Sequence, residues 1–135
     1  MQKSIDKIYY AAIYLRLSKE DGDLSSGEKK ESNSIANQRK LIEDYLSRNP
    51  EITLVQEFCD DGYTGANFDR PDFQRMMEQV KTGKINCIIV KDLSRFGRDY
   101  IDSGRYIEKI FPSLGIRFIA INDNYDTIDP NSVNN

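Results

Sequence analysis

Ser18 closes the run Tyr14-Leu15-Arg16-Leu17-Ser18, two residues beyond Arg16. Strand alternation puts Tyr14, Arg16 and Ser18 on one face. An arginine near the end of an apolar strand is costly unless it meets an anion. A second group lies in Val90-Lys91-Asp92-Leu93-Ser94-Arg95-Phe96-Gly97-Arg98-Asp99, where Lys91, Arg95 and Arg98 follow closely. Arg95 and Arg98 are three apart, so one helical turn brings them to the same side. Arg70 precedes Pro71 at the start of a helical pattern, a place that favours anions. Taken singly, each has a plain structural reading: an ion pair for Arg16, a loop serine, a charged helix start, a surface arginine. Taken together they imply a phosphate monoester or diester, because guanidinium groups are the preferred forks for phosphate oxygens. A hydroxyl among arginines points to covalent phosphoryl transfer. The arginines would stabilise charge in the transition state and lower the serine's effective pKa.

Composition narrows the chemistry further. The 135 residues include no histidine, which removes histidine acid–base catalysis, histidine-containing triads and histidine-ligated metals. The two cysteines, Cys59 and Cys87, are too few for a zinc site or a disulfide scaffold and read as buried thiols of a cytoplasmic protein. No run of 18 apolar residues and no apolar leader segment is present, so neither a membrane nor a secretory signal is expected. A net charge of -3 argues against a surface that binds nucleic acid indiscriminately, while leaving room for a local basic site.

The elements that must position these residues follow from periodicity. Tyr9–Leu17, Ile52–Cys59, Ile85–Val90 and Ile116–Ile121 are short apolar runs rich in Ile, Val, Tyr or Phe and read as strands. The third is apolar at almost every position, as for a strand covered on both faces. Helical spacing occupies Ser34–Arg48, stopped by Pro50, then Pro71–Lys81, followed by Gly83, and Asp102–Leu114, followed by Gly115. The order β-α-β-α-β-α-β predicts an α/β fold in a single domain, with a mainly parallel sheet of four to five strands flanked by helices. Sites in such sheets lie beyond the carboxyl ends of the strands, which is where the arginines fall. Ser18–Asn33 reads as a solvated loop, and Asp60–Arg70 as a second connection. The domain is expected over residues 1–123, with 124–135, which lack apolar periodicity, as the start of a linker.

Five blocks in order carry a family resemblance. Tyr14-Leu15-Arg16-Leu17-Ser18, Gln38, Asp61-Gly62-Tyr63-Thr64-Gly65, Asp69-Arg70-Pro71 and Leu93-Ser94-Arg95-Phe96-Gly97-Arg98-Asp99 resemble the catalytic domain of the serine recombinases, the resolvase/invertase family. The resemblance runs from Tyr9 to Asp123 and is greatest to large transposon-borne members. It implies that Ser18 attacks a DNA phosphate to give a 5′-phosphoserine link and a free 3′-hydroxyl. Arg16, Arg95 and Arg98 would bind and activate the phosphate, with Arg70 and Gln38 close by and Tyr14, Asp61, Ser94 and Lys91 in support; residues 124–135 would begin a linker to a dimerisation helix and DNA-binding region absent from this chain. It also implies DNA as partner, a homodimer at rest, a homotetramer during exchange, and no metal, ATP or other cofactor. One position departs: many resolvases carry aspartate where this chain has Ser94. A proton-transfer role for that carboxylate would then pass to Asp61, an arginine or water.

Two other classes compete. A doubly wound phosphotransferase or hydrolase acting on a small phosphorylated compound would share the arginines but needs a closed pocket. A receiver-like interaction module would place an acidic cluster with a phosphorylatable aspartate at the strand ends, where arginine and serine dominate here.

Overall fold

The computed structural model describes residues 8–17, 34–61, 70–97 and 100–128. Strand β1 spans Tyr9–Leu17, and its residues 11–16 are all buried, as for an interior strand of the sheet. Helix α1, Ile35–Ser47, starts at Ser34, whose side chain accepts from the backbone N–H of Asn37. Strand β2 is Ile52–Asp61 and helix α2 is Pro71–Lys81, with the proline at its first turn. Strand β3, Cys87–Val90, is buried at every position. A short helix α3, Leu93–Phe96, follows. Helix α4, Tyr100–Arg105, runs into a π-helical turn, Tyr106–Ile110, and then α5, Phe111–Leu114. Gly115 ends this stretch at φ 72°, a left-handed conformation that costs glycine nothing. Strand β4 is Arg117–Ala120, a 3₁₀ turn covers Ile121–Asp123, and β5 is Tyr125–Asp126.

The sheet has the order β2-β1-β3-β4-β5. The first four strands are mutually parallel, and β5 pairs antiparallel with β4. The single α/β domain with a mainly parallel sheet is therefore as the sequence leads one to expect. Alternation along β1 divides the core. Ala12 and Tyr14 face α2 and α5 with Phe58, Ile88, Val90 and Phe118. Ala11, Ile13 and Leu15 face α1 through Ile42, with Cys87, Ile89 and Ile119. Helices thus cover both sheet faces.

Three local differences have physical causes. Strand β2 runs two residues past Cys59, because it stays in register with β1 through the pairs Arg16–Asp60 and Leu17–Asp61. The helix expected at Asp102 begins at Tyr100 and widens into the π turn, where Tyr106 packs edge-on to Phe73 and Phe96. The sheet also continues past residue 123 into β5, inside the segment expected to begin a linker. Of the two thiols expected to be buried, Cys87 is, while Cys59 on the outer strand is only half-buried.

Phe96 fixes the short α3 turn. Its ring centroid lies 4.9 Å from that of Phe118, 5.7 Å from Phe73, 5.8 Å from Phe111 and 5.9 Å from Tyr106. Such edge contacts add roughly 0.5–1.5 kcal/mol each beyond area burial. Residue 95, one position away, inherits that rigidity.

Candidate active site

The chain leaves β1 for β2 on one side of it and later returns to β3 on the other. The two strands that flank β1 thus open a crevice at their carboxyl ends, the topological switch point where ligands of such sheets bind. Arg16 at the end of β1 and Arg95 after β3 meet there.

The two arginines are interlocked. Arg16 Nε donates to the Arg95 carbonyl at 3.0 Å, and Arg95 Nη1 donates to the Arg16 carbonyl at 2.8 Å. Arg16 Nη2 donates to the Ser94 carbonyl at 2.5 Å. Arg16 is 0 % and Arg95 3 % exposed, so both guanidinium groups sit inside the domain and not on an open rim. Carbonyl dipoles orient a guanidinium without cancelling its charge, which keeps the strand ends electropositive.

Gln38, on α1, is buried against the same strand end. Its Nε2 donates to the Arg16 carbonyl at 2.9 Å, and its Oε1 accepts from the Arg16 N–H at 3.2 Å. The sequence reading put Gln38 near the phosphate. In the fold both ends of its amide hold the backbone of Arg16.

Arg70 is fully buried just before α2. Its Nη1 donates to the Tyr14 hydroxyl and its Nη2 to the Phe96 carbonyl, both at 2.9 Å. The Tyr14 and Phe73 rings lie 5.7 and 5.6 Å from its guanidinium carbon. The Tyr14 hydroxyl donates to Asp60 Oδ2 at 2.8 Å. Burial, and next the opposing influence of Arg70, act on that phenol. The net effect pushes its pKa well above the usual tyrosine value. Asp60 also accepts the first free N–H groups of α2, from Asp72 at 3.0 Å and Phe73 at 2.9 Å. One buried carboxylate thereby starts a helix, orients a tyrosine and balances Arg70.

Asp60 escaped the sequence reading, which singled out Asp61. The signal was present: Phe58 and Asp60 are two apart, so a strand carried past Cys59 buries both on one face. Asp61 closes β2 opposite Leu17. Lys91 is half-buried directly after β3, and its carbonyl accepts from the Asn122 N–H at 2.8 Å. Ser94 is half-buried, and its hydroxyl donates to Asp92 Oδ1 at 2.5 Å. The Leu93 N–H is capped by Asp123 Oδ2 at 2.7 Å, a residue with no motif to announce it. Ser18, Arg98 and the side chain of Asp61 lie outside the described residues. The described structure therefore brings together Tyr14, Arg16, Gln38, Arg70, Ser94 and Arg95.

A cavity of about 520 Å³ adjoins α3, lined by Leu93, Ser94, Gly97, Ser103, Ile107 and Tyr125 among others. Among the described residues no group of three or more His, Cys, Asp or Glu side chains is placed to hold a metal ion. Among them, too, no helix is long and apolar enough to cross a membrane.

Comparison with known proteins bears on this arrangement. Residues 11–133 match the family model described as Resolvase, N terminal domain. Among solved structures, the N-terminal catalytic domain of TP901-1 integrase superposes with a TM-score of 0.77 at 24 % identity, covering 91 % of this chain and 85 % of that one. A resolvase family site-specific recombinase from Streptococcus pneumoniae gives 0.69 at 28 % identity, covering 91 % and 78 %. The C-terminal catalytic domain of ISC1926 TnpA, an IS607-like serine recombinase, gives 0.62 at 21 % identity, covering 82 % and 68 %. No curated protein matches the chain significantly.

Proposed function

Because this chain belongs to the resolvase family, as a serine recombinase catalytic domain, we propose that it cleaves and rejoins DNA through a 5′-phosphoserine intermediate. Ser18 is the nucleophile in this reading. Its Oγ forms a bond to phosphorus as the P–O3′ bond breaks; the serine loses its proton and the 3′ oxygen gains one. Reversal on a new 3′-hydroxyl seals the exchanged strand. The ester energy is held in the phosphoserine, so the reading needs neither ATP nor metal.

The observation that carries this proposal is the interlocked pair of buried arginines, Arg16 and Arg95, at the switch point of the sheet. Two guanidinium groups fixed by each other's carbonyl groups are preorganised for the charge that develops on a transferring phosphoryl group. Arg98, three residues after Arg95, completes the set. Arg70 acts from behind, through Tyr14 and the Phe96 carbonyl. A small phosphorylated substrate would want a closed polar pocket, whereas the cavity beside Ser94 has Leu93, Ile107 and Tyr125 in its wall. DNA is the partner, a homodimer the resting form, a homotetramer the active one, and the cytoplasm the location.

The test is covalent trapping. The intact protein is mixed with a library of nicked duplexes of random sequence, so that a cleaved strand end diffuses away and leaves the adduct stranded. The expected result is a denaturant-resistant protein–DNA adduct whose phosphate maps to Ser18 and which Ser18→Ala abolishes. An adduct that persists in Ser18→Ala, or none from wild type, would overturn the proposal.

A further inference from the structure

The turn after β3 holds a hydroxyl and a carboxylate in closer contact than its fold requires. Ser94 Oγ donates to Asp92 Oδ1 at 2.5 Å, at the short end for a bond between a hydroxyl and a carboxylate. Asp92 also accepts from the Arg95 N–H at 3.1 Å as the cap of α3. A cap needs an oxygen and not a charge, and asparagine caps as well as aspartate does. The cap alone therefore does not call for the charge, which lies 3.8 Å from the buried Arg95 Nε.

The surroundings suit proton transfer. Arg95 Nη2 reaches Ser94 Oγ at 3.4 Å, and Arg95 Nε lies 3.8 Å from Asp92 Oδ1. The Ser94 carbonyl is held by Arg16, two residues before Ser18 in the sequence. The Asp92 side chain is 24 % exposed, which gives a proton a way out to water. The charged groups near the pair are Arg16 from β1, Lys91 and Arg95 in the same loop, Asp123 beyond β4 through the Leu93 N–H, and Glu108 in the wall of the cavity that Ser94 lines.

We propose that Ser94 and Asp92 form the proton-accepting pair of the strand-cleaving reaction, Ser94 as the relay and Asp92 as the acceptor. The inference rests on the proposed phosphoserine chemistry and deepens it. As the attacking serine oxygen bonds to phosphorus and the P–O3′ bond breaks, the serine's proton passes to Ser94 Oγ. Ser94's own proton passes to Asp92 Oδ1. The 3′ oxygen takes a proton from water, and Asp92 returns its proton to solvent. Asp92 acts through Ser94, so its effect depends on that hydroxyl.

The experiment follows the initial rate of adduct formation on the same nicked duplex library in wild type, Asp92→Asn, Ser94→Ala and the double variant, from acid to alkaline pH. Asp92→Asn keeps the cap, so its circular dichroism should match wild type, and any drop in melting reports only the lost charge beside Arg95. General-base catalysis is worth on the order of 10²–10⁴-fold, so Asp92→Asn should slow adduct formation by about 10²-fold or more and flatten the fall in rate on the acid side. Ser94→Ala should lose a similar factor, and the double variant should be no worse than either alone, because the two act as a unit. Wild type that traps through Ser18 while Asp92→Asn matches its rate and pH profile overturns the pair alone. Wild type that traps nothing overturns the phosphoserine chemistry and the pair with it.

Discussion

Gln38 holds both the N–H and the carbonyl of Arg16, its Oε1 accepting at 3.2 Å and its Nε2 donating at 2.9 Å. A side-chain amide here does the work of a neighbouring strand, at the point where β1 ends and the catalytic chemistry is expected to begin. Gln38→Leu fills the space but leaves the buried Arg16 N–H without that acceptor, at a cost of roughly 1–3 kcal/mol in urea unfolding. Gln38→Glu keeps an acceptor for the N–H and turns a carboxylate oxygen towards the Arg16 carbonyl. That variant should be destabilised at neutral pH and recover as the pH falls and the glutamate takes up a proton. A Gln38→Leu variant as stable as wild type would show that the clamp contributes nothing.

Asp60 is the residue whose loss should spread furthest, because its carboxylate serves the Tyr14 hydroxyl and two α2 N–H groups at once. Asp60→Ala leaves Arg70 buried without that countercharge, and breaking a buried charge network on one side costs roughly 3–5 kcal/mol. Asp60→Asn retains an acceptor and should cost less. Tyr14→Phe removes only the bridge between Asp60 and Arg70. Arg70→Lys should not restore what Arg70→Ala loses, since a single ammonium cannot serve the Tyr14 hydroxyl and the Phe96 carbonyl with the geometry of a planar fork. Chemical denaturation of the five variants ranks these effects, and an Asp60→Ala as stable as Asp60→Asn would contradict the ranking.

The sequence reveals the elements of this fold more readily than the state of its arginines. β1 is bounded by its own alternation and α2 by a proline at its start, and both have the limits expected of them. Caps at Ser34 and Gly115 mark further ends in the same way. Strand β5 has two residues and no pattern of its own; it exists because β4 offers it an edge. In sequence the arginines read as strand-end groups awaiting an anion, with nothing to say what holds them. What holds Arg16 and Arg70 in the interior is the carbonyl groups of Ser94, Arg95 and Phe96, and backbone carbonyls carry no residue type to read. The same limit hid Asp92, whose partner Ser94 is visible as a motif residue while the contact between them is not.

The two thiols should differ in reactivity. Burial pushes the Cys87 pKa up to about 12, the nearby Arg117 opposing it only in part. Thiolate is the reactive form, so a disulfide reagent at neutral pH should modify the half-buried Cys59 and spare Cys87 until the protein unfolds. The sign for stability follows from the raised value. The favourable contribution of the protonated, buried Cys87 is fully present below the ordinary thiol range and is lost as the pH climbs from there towards 12. Counting modified thiols by mass, native against denatured, checks the order; fast labelling of Cys87 in folded protein would contradict it.

Arg117 and Asp126 tie β5 to β4. Arg117 is 6 % exposed on β4, and Asp126 on β5 grips it with both carboxylate oxygens, at 3.0 Å to Nε and 2.7 Å to Nη2. The Tyr9 ring covers the guanidinium at 4.8 Å, and Glu51 stands 3.9 Å from Nη1. Thr127 adds two bonds to Phe118, donating from its N–H at 3.1 Å and accepting on its hydroxyl at 3.0 Å. A chain cut after residue 123, where the sequence alone places the end of the domain, loses the Asp126 and Thr127 bonds and leaves the buried guanidinium with the Tyr9 ring and the more distant Glu51. It should be less stable than a chain cut after residue 128 by several kcal/mol, since a buried pair broken from one side costs roughly 3–5 kcal/mol. Asp126→Asn in the longer chain should recover part of the difference, because one acceptor remains. Replacing both partners with apolar groups, Arg117→Met with Asp126→Leu, should be far milder than Asp126→Ala alone, because no charge is then left buried. Urea unfolding of the two fragments and the three variants separates the contributions. Equal stability of the two fragments would mean that β5 is decoration on the sheet and that the shorter boundary is the true one.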